Sequence, residues 1–239
     1  MAAQDDRGIY LNLYVGGTLE VALPSQKIVL RQQTQYPWDG HVLITVTPQQ
    51  RAEFDLCLRL PGWAQGRLMP SDLYRFDHAT PVNWSVTVNG APLALGKLEN
   101  GYLRLRRVWQ AGDVVELNLP MPVHRVYSHD NVTFTRGKTA LYRGPLLYCL
   151  EGVDNPGFSV LNLVLPASTA FRAEHRADLL GGVTVLHGSG LADGKNPVEC
   201  TAIPYYAWEN RGIYEMTAWL VHEEHPSGRS APDGDNPLP

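Results

Sequence analysis

Short runs of alternating apolar and polar residues, each closed by a turn signal, fill this sequence from residue 9 to residue 221. A period of two belongs to a strand with one buried and one wet face, and a helix cannot satisfy it. The run Glu53-Phe-Asp-Leu-Cys-Leu-Arg-Leu60 is the plainest case: Phe54, Leu56, Leu58 and Leu60 are expected inward, Asp55 and Arg59 outward. Val42, Ile44 and Val46 keep the same register after the turn Tyr36-Pro-Trp-Asp-Gly40, where proline fixes φ and Asp-Gly supplies the reversal. Asn83-Trp-Ser-Val-Thr-Val-Asn-Gly90 runs a strand into Asn-Gly, a strong hairpin signal, with 91–95 as its return. Residues 9–15, 18–23 and 27–34 read as strands. So do 102–106 and 113–119, paired across Ala111-Gly112. Residues 67–81 show no period and read as a long loop.

Beyond Met121-Pro122 the signals thin. Residues 123–128 and 131–135 read as short strands. Thr139-Ala-Leu-Tyr-Arg-Gly-Pro-Leu-Leu-Tyr-Cys-Leu-Glu151 is strand, break and strand around Gly144-Pro145, with Arg143 expected to pair with a carboxylate or backbone carbonyls. Residues 158–165, 183–187, 198–203 and 214–221 follow as strands. Phe171, His175 and Leu179 share one side of a helical reading of 171–180. Gly188-Ser-Gly-Leu-Ala-Asp-Gly194 reads as a loop, since it misses the dinucleotide fingerprint by one residue. The strand candidates outnumber the seven of a single sandwich. The expected fold is therefore all-β, two antiparallel jelly-roll-like β-sandwiches in tandem: 1–124, 125–222, and a polar disordered tail at 223–239.

Composition excludes several function classes. A net charge of -4 with no Lys/Arg cluster argues against nucleic acid. No apolar run is long enough for a membrane helix, and Met1-Ala-Ala-Gln-Asp-Asp-Arg7 lacks a secretory apolar stretch. Cys57, Cys149 and Cys200 sit singly in apolar runs and read as buried free thiols, which makes the cytoplasm the expected location.

Tests for chemistry give little. His222-Glu-Glu-His225 has i, i+3 spacing and then proline, whereas a zinc helix needs i, i+4. No Gly-x-Ser-x-Gly elbow is present. Glu151, Asp154, Glu209 and Glu215 could supply a glycosidase's two carboxylates, but no motif selects a pair. Asn83-Trp-Ser85 and Asn131-Val-Thr133 match the glycosylation pattern incidentally. The aromatics say more. Trp38 and Trp63 follow turn prolines, and Tyr205, Tyr206 and Trp208 lie in Ile203-Pro-Tyr-Tyr-Ala-Trp-Glu-Asn-Arg-Gly212, which has no strand period. These five are candidates for sugar or inter-domain contact, while Trp84 and Trp219 lie within strand alternation and are expected in the core.

Several segments resemble, in order, the C-terminal part of glycoside hydrolase family 127, the β-L-arabinofuranosidase-like proteins. They include Gly8-Ile-Tyr-Leu-Asn-Leu-Tyr14, Leu58-Arg-Leu-Pro-Gly-Trp-Ala64, Trp109-Gln-Ala-Gly-Asp113, Leu119-Pro-Met-Pro122, Arg143-Gly-Pro-Leu-Leu-Tyr-Cys-Leu-Glu151 and Ile203-Pro-Tyr-Tyr-Ala-Trp-Glu-Asn-Arg-Gly212. The resemblance implies an (α/α)6 catalytic barrel followed by two β-sandwiches. In the family the barrel carries a Glu acid/base and a zinc-bound Cys nucleophile in a Cys-Cys-Pro-Pro motif. This sequence has no Cys-Cys pair, so no catalytic or metal residue carries over and no cofactor is expected in this chain. The implied role is the non-catalytic double-sandwich portion, partnered by a helical barrel in cis or in trans. The alternative is a free-standing carbohydrate-binding module for arabinose-containing glycans.

Overall fold

The structure, a computed structural model, describes residues 1–77, 81–94 and 96–222. Twenty strands are described and no α-helix is among them. They are β1 (Ala2–Gln4), β2 (Gly8–Leu11), β3 (Gly17–Leu23), β4 (Gln26–Thr34), β5 (His41–Pro48), β6 (Ala52–Arg59), β7 (Tyr74–Phe76), β8 (Ser85–Val88), β9 (Ala91–Pro92), β10 (Tyr102–Trp109) and β11 (Asp113–Asn118). Then come β12 (Val123–Ser128), β13 (Lys138–Arg143), β14 (Leu146–Glu151), β15 (Val164–Leu165), β16 (Arg172–Arg176), β17 (Val183–Ala192), β18 (Asn196–Pro204), β19 (Met216–Thr217) and β20 (Leu220–His222).

The first two sheets form a sandwich. One has the order β1-β2-β6-β10 and the other β3-β4-β5-β11-β8-β9. Alternation places Ile9, Leu56 and Leu103 of one sheet against Ile28, Ile44 and Leu117 of the other, in a single buried cluster. Trp109 closes that core with no exposed surface, and its indole N–H donates to the Phe54 carbonyl at 3.0 Å. The third sheet runs β19-β14-β18-β17-β15-β20-β13-β12-β7, with β16 on the side of β17. Its β13 also pairs with β14, so β13, β14, β18, β17, β15 and β20 curl into a closed ring. Leu141, Leu150, Leu165, Leu186 and Leu220 fill its interior. The chain is thus all-β and built of antiparallel sandwich layers, apart from parallel pairings of β2 with β6 and β15 with β20.

Expectation and structure part at particular places. The segment 102–119 is not a hairpin. Gly112 does turn the chain (φ 89°), but β10 pairs with β6 and β11 with β5 and β8, so the turn carries the chain from one sheet to the other. Residues 67–81 hold β7, whose partner β12 lies in the third sheet; residues 78–80 of that stretch are outside the described ones. Within residues 171–180 the segment Arg172–Arg176 is strand β16, not helix, because five consecutive residues zip onto β17. A two-turn helix closed by Gly181-Gly182 has too little hydrogen bonding to compete. The expected loop 188–194 is mostly β17, where Gly188 and Gly190 leave room for the side chains of Phe171 and Leu163. Residues 131–135 contain a short 3-10 turn instead of a strand. Asp55 points off the core face as expected but is buried, since β6 is an inner strand and Arg104 lies beside it. The tail at 223–239, with three residues of the His222–His225 motif, lies outside the described residues.

Candidate functional site

Of the five aromatic candidates the structure gathers four and sets one apart. Trp63 sits on the 3-10 turn Trp63–Gln65, and Pro61-Gly62 folds its ring into the first core at 6% exposure. It therefore offers no free face to a sugar. Trp38 and Tyr206 face one another with centroids 6.4 Å apart and planes tilted by 38°. Tyr205 and Trp208 stack more nearly in parallel, 6.3 Å apart at 23°. Tyr205, Tyr206 and Trp208 are exposed, Tyr206 to 61%.

Trp38 reaches this place from the other sandwich. It lies in the turn between β4 and β5, where its N–H donates to the Gln35 carbonyl at 2.7 Å. At the end of that turn a Cβ on Gly40 would run into the Leu119 backbone, so no larger residue fits. The half-buried indole packs against the buried cluster formed by Cys149, Val183, Val185 and Ile203 of the third sheet with Ala207 of the 3-10 turn that follows it. His175 of β16 flanks it at 5.9 Å. The Arg143 guanidinium donates to the Trp38 carbonyl at 3.0 Å, which is the backbone partner expected for that charge. Trp38 is thus an inter-sandwich contact that also backs the exposed Tyr206.

The loop that carries the exposed rings is pinned from below. Arg211 spans two carboxylates: Nη1 donates to Asp154 Oδ1 at 2.6 Å and Nη2 to Glu151 Oε2 at 2.7 Å, with Nη2 also meeting Asp154 Oδ2. Glu151 is fully buried. The hydrogen bonds that Arg211 donates to Asp154 first and to Glu151, set against desolvation, hold the guanidinium pKa above its ordinary value, so the cation is fixed. The second oxygen of Glu151 accepts the backbone N–H of Glu209 at 3.2 Å. Glu209 has φ 65°, a left-handed conformation uncommon for a residue that is neither Gly nor Asn. Further along, Gly152 N–H donates to the Glu215 carbonyl at 2.8 Å and Ser159 Oγ to its carboxylate at 2.7 Å. No sequence motif selects Glu151, Asp154, Glu209 or Glu215, and none ties Arg211 to them. The pattern Glu151-x-x-Asp154 beside Glu209-Asn-Arg211 was the available signal, but joining its parts takes contacts about 60 residues apart.

These contacts fix the position of the loop. Glu151 and Asp154 are both committed to one guanidinium, which leaves neither as a free acid or base. The three thiols are free and buried on β6, β14 and β18. Among the described residues no group of three or more His, Cys, Asp or Glu could hold a metal ion. No helix among the described residues is long and apolar enough to cross a membrane.

Known proteins match along nearly the whole described chain. The family model described as "Beta-L-arabinofuranosidase, GH127 middle domain" matches residues 8–121, and "Glycoside hydrolase family 127 C-terminal domain" matches residues 123–221. A non-reducing end beta-L-arabinofuranosidase of Bifidobacterium longum subsp. longum is 33% identical across 85% of this chain and 31% of its own length. A solved GH127 beta-arabinofuranosidase superposes with a TM-score of 0.87 at 34% identity, over 93% of this chain and 36% of that one. A GH127 beta-L-arabinofuranosidase from Geobacillus stearothermophilus T6 gives 0.79 at 38% identity, over 93% and 35%. The chain spans about a third of the length of each of these relatives.

Proposed function

Since the chain belongs to glycoside hydrolase family 127, through its middle and C-terminal domains, we propose that it is the non-catalytic double-sandwich portion of a β-L-arabinofuranosidase-like enzyme. Its work is to support a helical catalytic barrel, joined to it or supplied by another chain. The observation that carries this reading is the fate of the carboxylates. A retaining glycosidase built on the carboxylates of these sandwiches would need two free carboxyl groups about 5 Å apart with a sugar between them. Here Glu151 and Asp154 have a guanidinium between them, and one of the two is wholly out of solvent.

The test is a replacement experiment. The sandwich third of the Geobacillus relative is exchanged for residues 8–221 of this chain, and hydrolysis of p-nitrophenyl arabinofuranoside is followed. The chimera is expected to turn over substrate, the relative truncated before its sandwiches to lose activity, and the 239-residue chain alone to be inert. Turnover by the pure chain that a single Glu209→Gln change removes would overturn the reading.

A further inference from the structure

We propose that the loop from Tyr205 to Asn210 is a saccharide-stacking site, separate from the supporting role above; only the choice of arabinose-containing probes rests on that family reading. Scattered single aromatic rings are ordinary on a protein surface, but several exposed rings on one short loop mark a contact site. Tyr205 and Trp208 stand near-parallel at the surface, 41% and 36% exposed. The loop beneath them is built to hold that pose. Trp208 N–H donates to the Tyr205 carbonyl at 3.2 Å, and the Asn210 amide donates to the Ala207 carbonyl at 3.0 Å. Glu209 is kept left-handed by a buried carboxylate that is itself held by Arg211. Strain of this kind persists only where surrounding contacts over-determine it, and it gathers at binding sites.

The chemistry of the rim selects the ligand class. A sugar ring offers an apolar C–H face and an edge of hydroxyl groups. Tyr205, Tyr206 and Trp208 present flat apolar faces with a phenol or indole donor at the edge. Glu209 and Asn210 follow directly and are exposed, bringing a carboxylate and an amide oxygen to accept hydroxyl protons. A preformed platform also spares the ligand the ordering of loose side chains on binding.

The experiment is affinity electrophoresis of the 239-residue chain through gels containing arabinan, with xylan and laminarin as other neutral glycans, and titration of tryptophan fluorescence with arabino-oligosaccharides. Retardation by arabinan is expected. Trp208→Ala and Tyr205→Ala should each weaken it by several-fold to about tenfold, as loss of one stacked ring implies. Glu209→Gln should weaken it several-fold, and Phe134→Ala, an exposed ring on another loop, should leave it unchanged. All four changes are at the surface, and unaltered circular dichroism and melting temperature verify their folding. No retardation on any glycan overturns the site, as does retardation that Trp208→Ala leaves intact. Self-association in sedimentation that Trp208→Ala abolishes, without glycan binding, would make the loop a protein contact and also overturn the site. None of these readouts measures turnover, on which the supporting role stands or falls.

Discussion

Cys149 and Cys200 show how burial alone can set a residue's chemistry. Burial, aided by neighbouring carboxylates, lifts Cys149 from the ordinary 9.0 to about 12 and Cys200 to about 11. At neutral pH both are protonated, unreactive thiols, since the thiolate is the nucleophile and the metal ligand. Below pH 9 folded and unfolded chains bind the same thiol protons, and stability does not depend on them. Above it the unfolded chain releases protons that the folded chain keeps. Stability therefore falls as pH rises from about 9 through the folded values, by up to about 1.4 kcal/mol per pH unit for each thiol. Urea denaturation between pH 8 and pH 10.5 should show that decline, and Cys149→Ala with Cys200→Ala should make it shallower, the remainder belonging to Cys57 and the buried tyrosines, whose pKa values burial also raises. A thiol reagent at pH 8 should label neither residue before urea is added. At the same scale, the aromatic candidates were legible by residue type. Their partners were not: Trp63 follows a Pro-Gly turn just as a surface ring would, yet that turn folds inward.

Among the elements, β7 has an influence out of proportion to its three residues. Phe76 is buried, with its ring 4.6 Å from His124 and 5.7 Å from Tyr142. Arg75 pairs across to Tyr127 and its guanidinium lies 5.3 Å from that ring. Phe76→Ala should remove about 3–5 kcal/mol, the usual loss for a buried Phe, read as a lower urea midpoint. A loss under about 1 kcal/mol would mean that β7 is only loosely attached. The element also marks where sequence reading stops. The β13–β14 hairpin was plain because Gly144-Pro145 breaks two apolar runs that pair at once. The turns at Gly112 and Gly194 are equally local, but one crosses between sheets and the other closes a hairpin. Turn chemistry fixes the reversal and leaves the partner open. For β7 and β16 the partner decides everything, and three or five residues without a clean period carry no trace of it.

At the scale of the molecule, the two sandwiches share material in both directions. The first lends β7 to the third sheet and Trp38 to its flank. The buried cluster of the first core continues through Phe76 to Val126 and Ala140, with Tyr142, Leu147 and Trp219 packed against it. Elements joined by a continuous core unfold together. Calorimetry should give one transition whose calorimetric and van't Hoff enthalpies agree, whereas two resolved peaks would mean that the shared core is too weak to couple the halves. The two family domains divide the sequence between residues 121 and 123, but β7 lies on the far side of that line from the sheet it completes. Genes recombining at that point would give each new C-terminal half a foreign edge strand and a foreign tryptophan. In this family the two sandwiches are expected to be inherited as a pair, with exchange tolerated only where segments 74–76 and 36–40 travel with the sheet they serve.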